Sequence, residues 1–595
     1  MLPFMRSKNK TSMYDIKSFE GINPSYSRKV NEFADAVNMT SEAFPALKSA
    51  PGFGMYSQSE LPCCGCGYYD KLYTVRHDDA DTGKVYICTD NQSTEIAAFA
   101  ADGEEAADRT MAFMKDEILI IPDNVIYHTN TGTARQGCVK EITTEESATA
   151  KFQSESKTDD EPPSPYNIWY SAYITGNSIV SMSGNYRPSS TSYKFYHFSV
   201  SDNFAVGDVI TLKMDVKPID ASQDSAYRAY KKKMADGITL KIKDLVTTTH
   251  STPSGTKTEY TSVIFDDNAV DMGGYDEVFV FDVTVEKGIP NFVDICSFEN
   301  RIWGVTADQI CASKLGDSSE WNDFTADAYG TLPSSCFKTE VETDGSFTAI
   351  EPYNGSILAF KEDCVHKIYG DQPDEYTVTT MECTGVQSGA AATIATVNGV
   401  LYYKGKDGIY ALSSGLPHLI SQKLNTEGLS AKYACGDDRY YYVEMYDDTQ
   451  SYIYVYDTLC GIWHMQTMSE KLKGMVNTPD GVRLAGKYGI FGHDTGIGSD
   501  WSFELTFGTK EFASKHISQI MARYSLSEES TLDIKLRNKH GIYPLCNARG
   551  AAADSILRVK IPVTCSEDAT LIFTGKGDFT LSSLTVNFRE TNIDN

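Results

Sequence analysis

A strand-hairpin pattern recurs along this 595-residue chain and limits the folds that it can adopt. The clearest copy runs from Phe298 to Phe324. It contains a strand-like run at 301–305, a polar turn and a second run at 309–313, and it ends on two aromatic residues, Trp321 and Phe324. Apolar and polar residues that alternate between turn residues are typical of half-buried strands. We therefore interpret this stretch as a β-hairpin.

Hairpins of this kind return at intervals of about 40–50 residues, a spacing typical of β-propeller blades. In the later part of the chain their first strands centre near residues 303, 358, 402, 441 and 484, at intervals of 55, 44, 39 and 43 residues. Two earlier hairpins centre near residues 73 and 119 and are 46 residues apart. Each blade is expected to be a four-stranded sheet whose middle hairpin is the most visible part. Seven hairpins predict about seven blades, with six or eight as alternatives.

Changes in this pattern divide the chain into segments. Residues 140–165 are polar and acidic, as expected of a linker or a surface excursion. Further strand-like runs follow, with a single short helix expected at 224–235, and the alternation from residue 500 onward is typical of a β-sandwich. We predict an all-β protein with an N-terminal arm (1–55), first propeller blades (56–139), an inserted β-sandwich with an acidic linker (140–290), remaining propeller blades (291–499) and a C-terminal β-sandwich (500–595).

The chain is strongly acidic, with a formal net charge of −28 and a pI of about 4.8. A protein that holds DNA by neutralising phosphates carries a basic face, so this charge argues against ordinary sequence-specific DNA binding. It does not argue against a channel whose wall repels DNA and prevents sticking. Acidity that serves solubility alone is the other interpretation.

No stretch of the sequence suggests export or membrane insertion. The N-terminal MLPFMRSKNK lacks the apolar run of a signal peptide, and nowhere do about 20 apolar residues follow one another. We expect a soluble protein without a membrane span. The 14 cysteines are too dispersed for a small disulfide scaffold, and most are expected to be buried free thiols. Those in strand-like runs are Cys88, Cys296, Cys311, Cys364 and Cys565.

Motifs of common catalytic sites are absent from the sequence. It has no Gly-rich phosphate loop, no HExxH, no GxSxG nucleophile elbow and no evident Ser-His-Asp set, and its ten histidines are scattered singly. The turn at 343–347 faintly resembles the Asp-box of sialidases, but it does not repeat, so we interpret it as an ordinary turn. We predict no catalytic residue, no cofactor and no enzymatic activity.

The sequence contains candidates for two kinds of metal site. Cys63, Cys64 and Cys66 are close enough to bind Zn²⁺, but no CxxC or His pair accompanies them, so a loop with incidental thiols is the favoured interpretation. Acidic runs supply oxygen ligands for Ca²⁺, although no twelve-residue calcium loop is present and solvated turns are favoured. These runs are Asp78–Asp81, Asp159–Glu161 and Asp437–Asp438.

Three structural motifs together resemble a bacteriophage tail family. The first is the arm, with residues 19–23, then 32–38 and a Pro-rich close at 51–53. The second is NRIWG at 300–304, which leads through ASKLG to WNDF at 321–324, and the third is the KHI sequence that enters a C-terminal strand at residue 515. The chain resembles the tail nozzles and packaged-DNA stabilisation proteins of short-tailed phages. The likeness is weakest over 140–290 and involves no catalytic residue.

The resemblance implies a virion protein of the phage tail that is assembled in the cytoplasm of the host bacterium. Such a protein forms a ring, expected to contain six copies, below the portal or head–tail adaptor. It retains packaged DNA, guides its ejection through the channel without specific binding, and contacts tail fibres or other tail proteins. We expect the linkage surfaces on the inserted and C-terminal β domains, because propeller strands are committed to their own cores.

An alternative function is a receptor- or glycan-binding propeller at the tail tip. Trp321, Tyr68 and Tyr69 are candidates for stacking on sugars, although packing between blades is the favoured role for Trp303, Trp321 and Phe324. A glycosidase is a third possibility, but no paired-carboxylate motif supports it.

Overall fold

The computed structural model describes most of the chain. The described ranges are 10–25, 28–78, 84–89, 94–100, 107–136, 140–143, 150–153, 173–175, 178–181, 209–218, 225–251, 257–265, 277–287, 289–321, 333–424, 426, 428–447, 451–468, 470–494, 498–507, 514–561 and 569–591. Several predicted features lie wholly or partly outside these ranges: the end of the Asp78–Asp81 run, most of the 140–165 linker with the Asp159–Glu161 run, the end of the 321–324 motif, and Cys565.

The N-terminal arm forms strands that are used elsewhere in the fold. Its strands are β1 (Lys10–Ile16), β2 (Asp35–Val37), β3 (Met39–Thr40), β4 (Leu47–Ser49) and β5 (Gly52–Gln58).

Two four-stranded antiparallel sheets follow the arm. The first contains β6 (Cys63–Tyr68), β7 (Leu72–His77), β8 (Lys84–Thr89) and β9 (Thr94–Ala100), and the second contains β10 (Thr110–Met114), β11 (Glu117–Ile121), β12 (Val125–His128) and β13 (Thr133–Gln136). In both, each strand pairs with the next along the chain.

The inserted region is one eight-stranded sheet. Its strands are β14 (Lys140–Thr143), β15 (Ala150–Gln153), β16 (Tyr173–Thr175), β17 (Ser178–Ser181), β18 (Val209–Pro218), β19 (Ile238–Ser251), β20 (Lys257–Phe265) and β21 (Glu277–Lys287). Strand β21 pairs with β14 and β15 and also with β18, so the strands from β15 to β21 form a closed hydrogen-bonded circuit. The described strands therefore do not form the two separate layers of the predicted sandwich.

One α-helix, α1 (Ser225–Asp236), occurs in the described residues, where the sequence predicted a single short helix. Tyr230 and Met234, four residues apart, are its buried side chains. Lys233 lies in the last turn, and Gly237 follows with φ of +108° and donates its amide to the Lys233 carbonyl at 3.1 Å. A glycine in this conformation is a common helix end.

Five more four-stranded sheets follow the insertion. Four are formed by consecutive strands: β22 (Asp294–Phe298), β23 (Arg301–Val305), β24 (Gln309–Ala312) and β25 (Phe337–Glu340); β26 (Ala349–Tyr353), β27 (Ser356–Phe360), β28 (Cys364–Tyr369) and β29 (Thr377–Glu382); β30 (Ala395–Val397), β31 (Val400–Lys404), β32 (Ile409–Leu412) and β33 (His418–Leu419); β34 (Ser430–Gly436), β35 (Tyr440–Tyr446), β36 (Ser451–Asp457) and β37 (Ile462–Thr467). The fifth contains β38 (Gly474–Thr478), β39 (Gly481–Ala485) and β40 (Gly489–Asp494), and its fourth strand is β5 from the arm.

The last strands build the two sheets of a C-terminal sandwich. They are β41 (Asp500–Phe507), β42 (Ser514–Leu526), β43 (Thr531–Asn538), β44 (Gly541–Arg549), β45 (Ala552–Lys560), β46 (Ala569–Lys576) and β47 (Phe579–Thr591). One sheet has the order β2-β41-β46-β43-β44, and the other has the order β3-β4-β47-β42-β45, with β1 also paired to β47. Four arm strands are therefore part of this sandwich.

The predicted all-β, propeller-like fold is confirmed. In the described part of the chain, seven four-stranded antiparallel sheets each contain one of the seven predicted hairpins as their second and third strands. Tight turns before two of these hairpins use Asn-Gly pairs with positive φ, at Asn354-Gly355 (+48° and +69°) and Asn398-Gly399 (+51° and +73°). Such pairs are typical of two-residue turns that match the twist of antiparallel strands.

The chain divides into two compact units. One contains Met1–Met111, Phe347–Lys367 and Val378–Asn595, and the other contains Ala112–Ser346 and Ile368–Thr377. Apolar clusters join different sheets within each unit. In the second unit, the cluster of Ile126, Ile302 and Trp321 joins the four-stranded sheets that precede and follow the insertion. Among the described residues, no helix is long and apolar enough to span a membrane.

Trp303 tests the interpretation of its strand as part of a blade. It is 2% exposed and packs 5.3 Å from the ring of Tyr376 and 5.9 Å from that of Phe337. We expect Trp303→Ala to lower the free energy of unfolding by about 3–5 kcal/mol, because a large cavity replaces the indole. Chemical denaturation measures this change.

The control is Trp303→Phe, which keeps much of the apolar volume. The indole N–H is buried and lacks a hydrogen-bond partner in the described structure, so this variant should lose clearly less stability than the alanine variant. Wild-type stability in Trp303→Ala would show that the stretch is not a packed blade.

Candidate functional site: the arm junction

The arm residues 19–50 connect the C-terminal sandwich to the sheet β34–β37, and we call this contact region the arm junction. It starts beside Trp463 on the edge strand β37. The amide of Ile22 donates a hydrogen bond to the Trp463 carbonyl at 3.0 Å. Gly21 has φ of +73°, and a Cβ atom placed there would lie 2.7 Å from the same carbonyl oxygen. The backbone therefore approaches β37 at a distance that only glycine permits.

Phe33 is the apolar centre of the arm junction. Its side chain is fully buried, stacks with Phe19 at 6.1 Å between ring centroids and meets Phe503 of β41 edge-on at 5.4 Å. The next residue, Ala34, donates its amide to the Glu504 carbonyl at 2.9 Å, and β2 then pairs with β41. The arm thus shares its core with the sandwich.

Asn38 holds the crossing between the two sandwich sheets, because β2 and β3 belong to different sheets and Asn38 lies between them. Its φ is +55°, a conformation that asparagine tolerates better than most residues. Its Nδ2 group donates to the Thr467 hydroxyl at 3.0 Å and to the Asp500 carbonyl at 2.7 Å, while its Oδ1 accepts the Thr467 amide at 2.8 Å. One side chain therefore binds both β37 and the start of β41.

Glu32 is a buried carboxylate whose hydrogen bonds hold the arm in shape. It accepts bonds of 2.7 Å from the Asn23 side chain, the Lys29 amide and the Lys423 ammonium group. Burial on its own would raise the pKa of Glu32, but these three donors outweigh it and the pKa is lowered. The carboxylate is thus kept ionised as a structural anchor.

Asp457, at the end of β36, is the matching anchor on the sheet. It is fully buried and accepts hydrogen bonds from the Arg439 guanidinium at 2.6 Å and from the Ser41 hydroxyl at 2.5 Å. Arg439 also donates to the Ser41 carbonyl at 3.0 Å. Burial would raise the pKa of Asp457, but the bonds from Arg439 and Ser41 lower it overall. A paired buried charge of this kind is costly to break from either side.

The geometry of the arm junction is that of a mechanical connection. Glu32 and Asp457 each receive at least three donors, so neither carboxylate is free to act as a general base. The arrangement joins elements more than 400 residues apart in sequence, since Asn38 and Ser41 bind residues of β36, β37 and β41. On the arm side, these contacts fall largely within the 19–23 and 32–38 motifs of the sequence. Asp457, which follows an alternating strand, carried no distinguishing signal.

A second charged cluster surrounds Asp108. The side chain of Asp108 forms an ion pair with Lys432 and accepts a hydrogen bond of 3.0 Å from the Tyr433 hydroxyl, and the ammonium group of Lys473 lies 3.7 Å away. Burial would raise its pKa, but the bond from Lys432 makes the net shift downward. The cluster connects the segment before β10 to β34 and the residue before β38, which is a structural role.

The three clustered cysteines lie on strand β6, which corrects the predicted loop. The Cys63 thiol donates to the Gly65 carbonyl at 3.4 Å, and the Cys64 thiol donates to the Val75 carbonyl at 3.3 Å. Burial raises the pKa of both Cys63 and Cys66. Since the thiolate is the metal-binding form, this environment does not favour metal binding. In the described residues, no group of three or more His, Cys, Asp or Glu side chains has a geometry that would hold a metal ion.

Of the acidic runs weighed for Ca²⁺, Asp437–Asp438 is fully described. Asp437 Oδ1 accepts the amides of Arg439 and Tyr440 at 2.7 and 2.6 Å, and its Oδ2 accepts the Tyr442 hydroxyl at 3.1 Å. The carboxylate caps the turn between β34 and β35, in agreement with the turn interpretation. Most of the Asp78–Asp81 run and all of Asp159–Glu161 lie outside the described residues.

Most of the aromatic residues considered for sugar stacking are buried or half-buried. Trp321 is 3% exposed, lies 4.6 Å from the Phe292 ring and donates its indole N–H to the Ser318 carbonyl at 2.9 Å. The predicted packing role is thereby confirmed for Trp303 and Trp321. Phe347, at the end of the Asp-box-like turn, is also buried. Tyr68 is half-buried, whereas Tyr69 is 51% exposed.

Comparisons with known proteins leave the family of this chain open. No family model matches the sequence, and no curated protein matches it. The crystal structure of the computationally designed protein Ika8 aligns with 73% of this chain and 99% of its own, at 9% identity and a TM-score of 0.22. The crystal structure of BamB from Moraxella catarrhalis aligns with 63% of this chain and 95% of its own, at 10% identity and a TM-score of 0.17. Scores this low carry no argument about fold or function.

Asn38 provides a test of the arm junction. We expect Asn38→Ala to reduce the free energy of unfolding by about 1–3 kcal/mol, because three partly buried side-chain hydrogen bonds are lost. Asn38→Gly removes the same bonds but relieves the positive φ, so it should cost about 1 kcal/mol less than the alanine variant. Denaturant unfolding followed by tryptophan fluorescence measures both. Wild-type stability in both variants would contradict the proposed anchor.

Because of His464 on β37, we predict that the stability of the protein depends on pH. It is buried, neither ring nitrogen has a hydrogen-bond partner in the described structure, and burial lowers its pKa to about 4. Between about pH 6.5 and pH 4 the unfolded chain binds a proton that the folded chain does not, so stability falls as the pH falls through this window. The expected loss is about 3 kcal/mol.

His464→Phe should therefore flatten the stability profile between about pH 6.5 and pH 4. The matched control is His540→Phe, at an exposed position, which should leave the slope of the wild type unchanged. Thermal unfolding at several pH values measures these slopes. An unchanged slope in His464→Phe would mean that other groups cause the acid sensitivity.

Proposed function

We propose that this chain is a structural protein of a bacteriophage tail, a nozzle or DNA-retaining stopper that assembles as a ring below the portal or adaptor. The proposal rests mainly on one observation: the motifs that resemble tail proteins serve packing and anchoring in this structure. Residues 19–23 and 32–38 form the arm junction, and Trp303 and Trp321 of the second motif are buried packing residues. Motifs used for packing and anchoring suit a protein whose work is mechanical.

Three further properties support a conduit for DNA. The chain carries a net charge of −28, so copies arranged around a channel would repel the phosphate backbone and let it slide. Its acidic anchors Glu32 and Asp457 are saturated with donors, which suits a load-bearing role better than catalysis. Arm and sandwich share the buried Phe33–Phe503 contact and the β2–β41 strand pairing, so the arm is an integral part of the sandwich. In this proposal the protein is not an enzyme and needs no cofactor.

Cryo-electron microscopy of virions that contain the protein tests this proposal. We expect a coaxial ring with a central channel on the tail axis, with the portal or adaptor on one side and fibres or other tail proteins in contact. The copy number in that map tests the expected six. Density at the periphery, away from the tail axis, would contradict the nozzle and stopper roles.

The alternative is a receptor- or glycan-binding protein at the tail tip, and the exposed ring of Tyr69 is the observation that favours it. In that case Tyr69→Ala should abolish adsorption of virions to host cells without changing the stability of the chain, because stacking on a sugar is lost. Adsorption assays with Tyr56→Ala as the exposed-tyrosine control measure this. Normal adsorption of both variants would leave the tip role without support.

A further inference from the structure

The strands β43 to β45 form a basic region on an acidic protein. Residues 531–560 contain six Lys and Arg but only two Asp and Glu, whereas the whole chain has a net charge of −28. All six basic side chains are exposed: Lys535, Arg537, Lys539, Arg549, Arg558 and Lys560. The rest of the chain is therefore even more acidic than the net charge of −28 indicates. A second copy of the chain would present mainly acidic surface to this region.

Strand β45 is an open sheet edge. Among the described residues it pairs only with β42, and nothing covers its other side. Unpaired backbone N–H and C=O groups along such an edge can bind another strand. The edge strand of the other sheet, β44, contains Pro544, which lacks a donor and discourages pairing. Strand β45 has no proline, so it is the better suited of the two edges.

The exposed face of β45 combines charge with apolar surface. Ile556, Arg558 and Lys560 alternate along it, and Ile556 is 57% exposed. Asp554, the acidic residue on this strand, is already paired with Arg523 at 2.5 Å. Within the described part of the chain Arg558 and Lys560 have no carboxylate partner, so their charges are available to a partner outside the chain.

These charges favour an asymmetric contact over a symmetric one. Full-length antiparallel pairing of β45 with β45 of a second copy would place Arg558 opposite Asp554, which is already paired with Arg523, and Lys560 opposite Ala552, so the two basic residues would gain no free carboxylate. A contact with an acidic surface elsewhere on the second copy is favourable. Such a contact is heterologous, and heterologous contacts build rings when the rotation closes.

We propose that the β45 edge, with Ile556, Arg558 and Lys560, is the basic half of a head-to-tail contact with the acidic surface of a second copy of this chain. The inference deepens the proposed function, because it assigns the contact that builds the ring. Nucleic acid is a less suitable occupant, since phosphate binding does not require an exposed isoleucine or an open sheet edge.

Charge reversal tests the contact on the full purified chain. Sedimentation equilibrium of the wild type should show self-association that weakens as salt rises from about 0.05 M to about 0.5 M. The double variant Arg558→Glu/Lys560→Glu should raise the dissociation constant on the order of tenfold or more. Arg558→Gln/Lys560→Gln, which removes charge without adding repulsion, should give a smaller increase.

Lys71→Glu/Lys84→Glu is the matched control, because both lysines are exposed and lie on another sheet. It should associate like the wild type, and circular dichroism should show that all variants are folded. A wild-type dissociation constant for the β45 variants, or a wild type that is monomeric at all concentrations, would overturn the proposal. The proposal would also be overturned if the β45 variants lost binding to added duplex DNA but kept wild-type self-association.

Mixing charge-reversed subunits with wild-type subunits distinguishes a head-to-tail contact from a symmetric one. A charge-reversed subunit keeps its acidic surface, so it should add to a wild-type copy and then block further growth, which lowers the mean oligomer size in an equimolar mixture. Unchanged wild-type oligomers in the mixture would overturn the head-to-tail contact. If virions still show a coaxial ring when the β45 variants assemble normally, the surface assignment fails while the proposed function stands.

Discussion

A four-stranded sheet with two apolar faces must be covered on both sides, and this requirement governs most of the structure. Every residue of β23 and of β27 is buried, so neither strand has a face that could meet water. Each such sheet therefore depends on its neighbours for stability. Packing between sheets provides this cover within each compact unit, as the cluster of Phe360, Tyr403 and Tyr410 illustrates.

The arm also depends on neighbouring elements for burial, but polar side chains define its position. Apolar contacts of Phe33 supply much of the burial, whereas Glu32, Asn38 and Asp457 define the geometry through buried hydrogen bonds. Buried polar groups of this kind tolerate little displacement, because each misplaced donor or acceptor is left unsatisfied. A connection between sheet and sandwich that rests on such bonds is well defined in position, which suits the mechanical role that we propose.

Charge is distributed unevenly over the sequence, and this matters for association. The acidic excess keeps copies of the chain apart in general, while the basic β43–β45 region offers one place where attraction is possible. Exposed charges on the β45 edge also guard against indiscriminate strand pairing, which is a common hazard of open edges. The same exposed side chains therefore limit indiscriminate strand pairing and supply the basic half of the contact that we propose.

The sequence by itself determined the strand hairpins and the one short helix. Alternation bounded by turn residues identified the middle strands of all seven four-stranded sheets, and the helix expected at 224–235 is α1. These features depend on neighbouring residues, and local pattern reveals them. The buried positions of Trp303 and Trp321 followed from the same reasoning.

Only the tertiary structure decided which strands pair. Strand β5 completes a sheet with β40 more than 400 residues away, and β1 to β4 join the C-terminal sandwich. The inserted strands close on β21, and the Gly-rich cysteine segment is a strand because β7 pairs with it. A strand's own residues show that it needs a partner, but partner choice depends on burial and register across the whole chain.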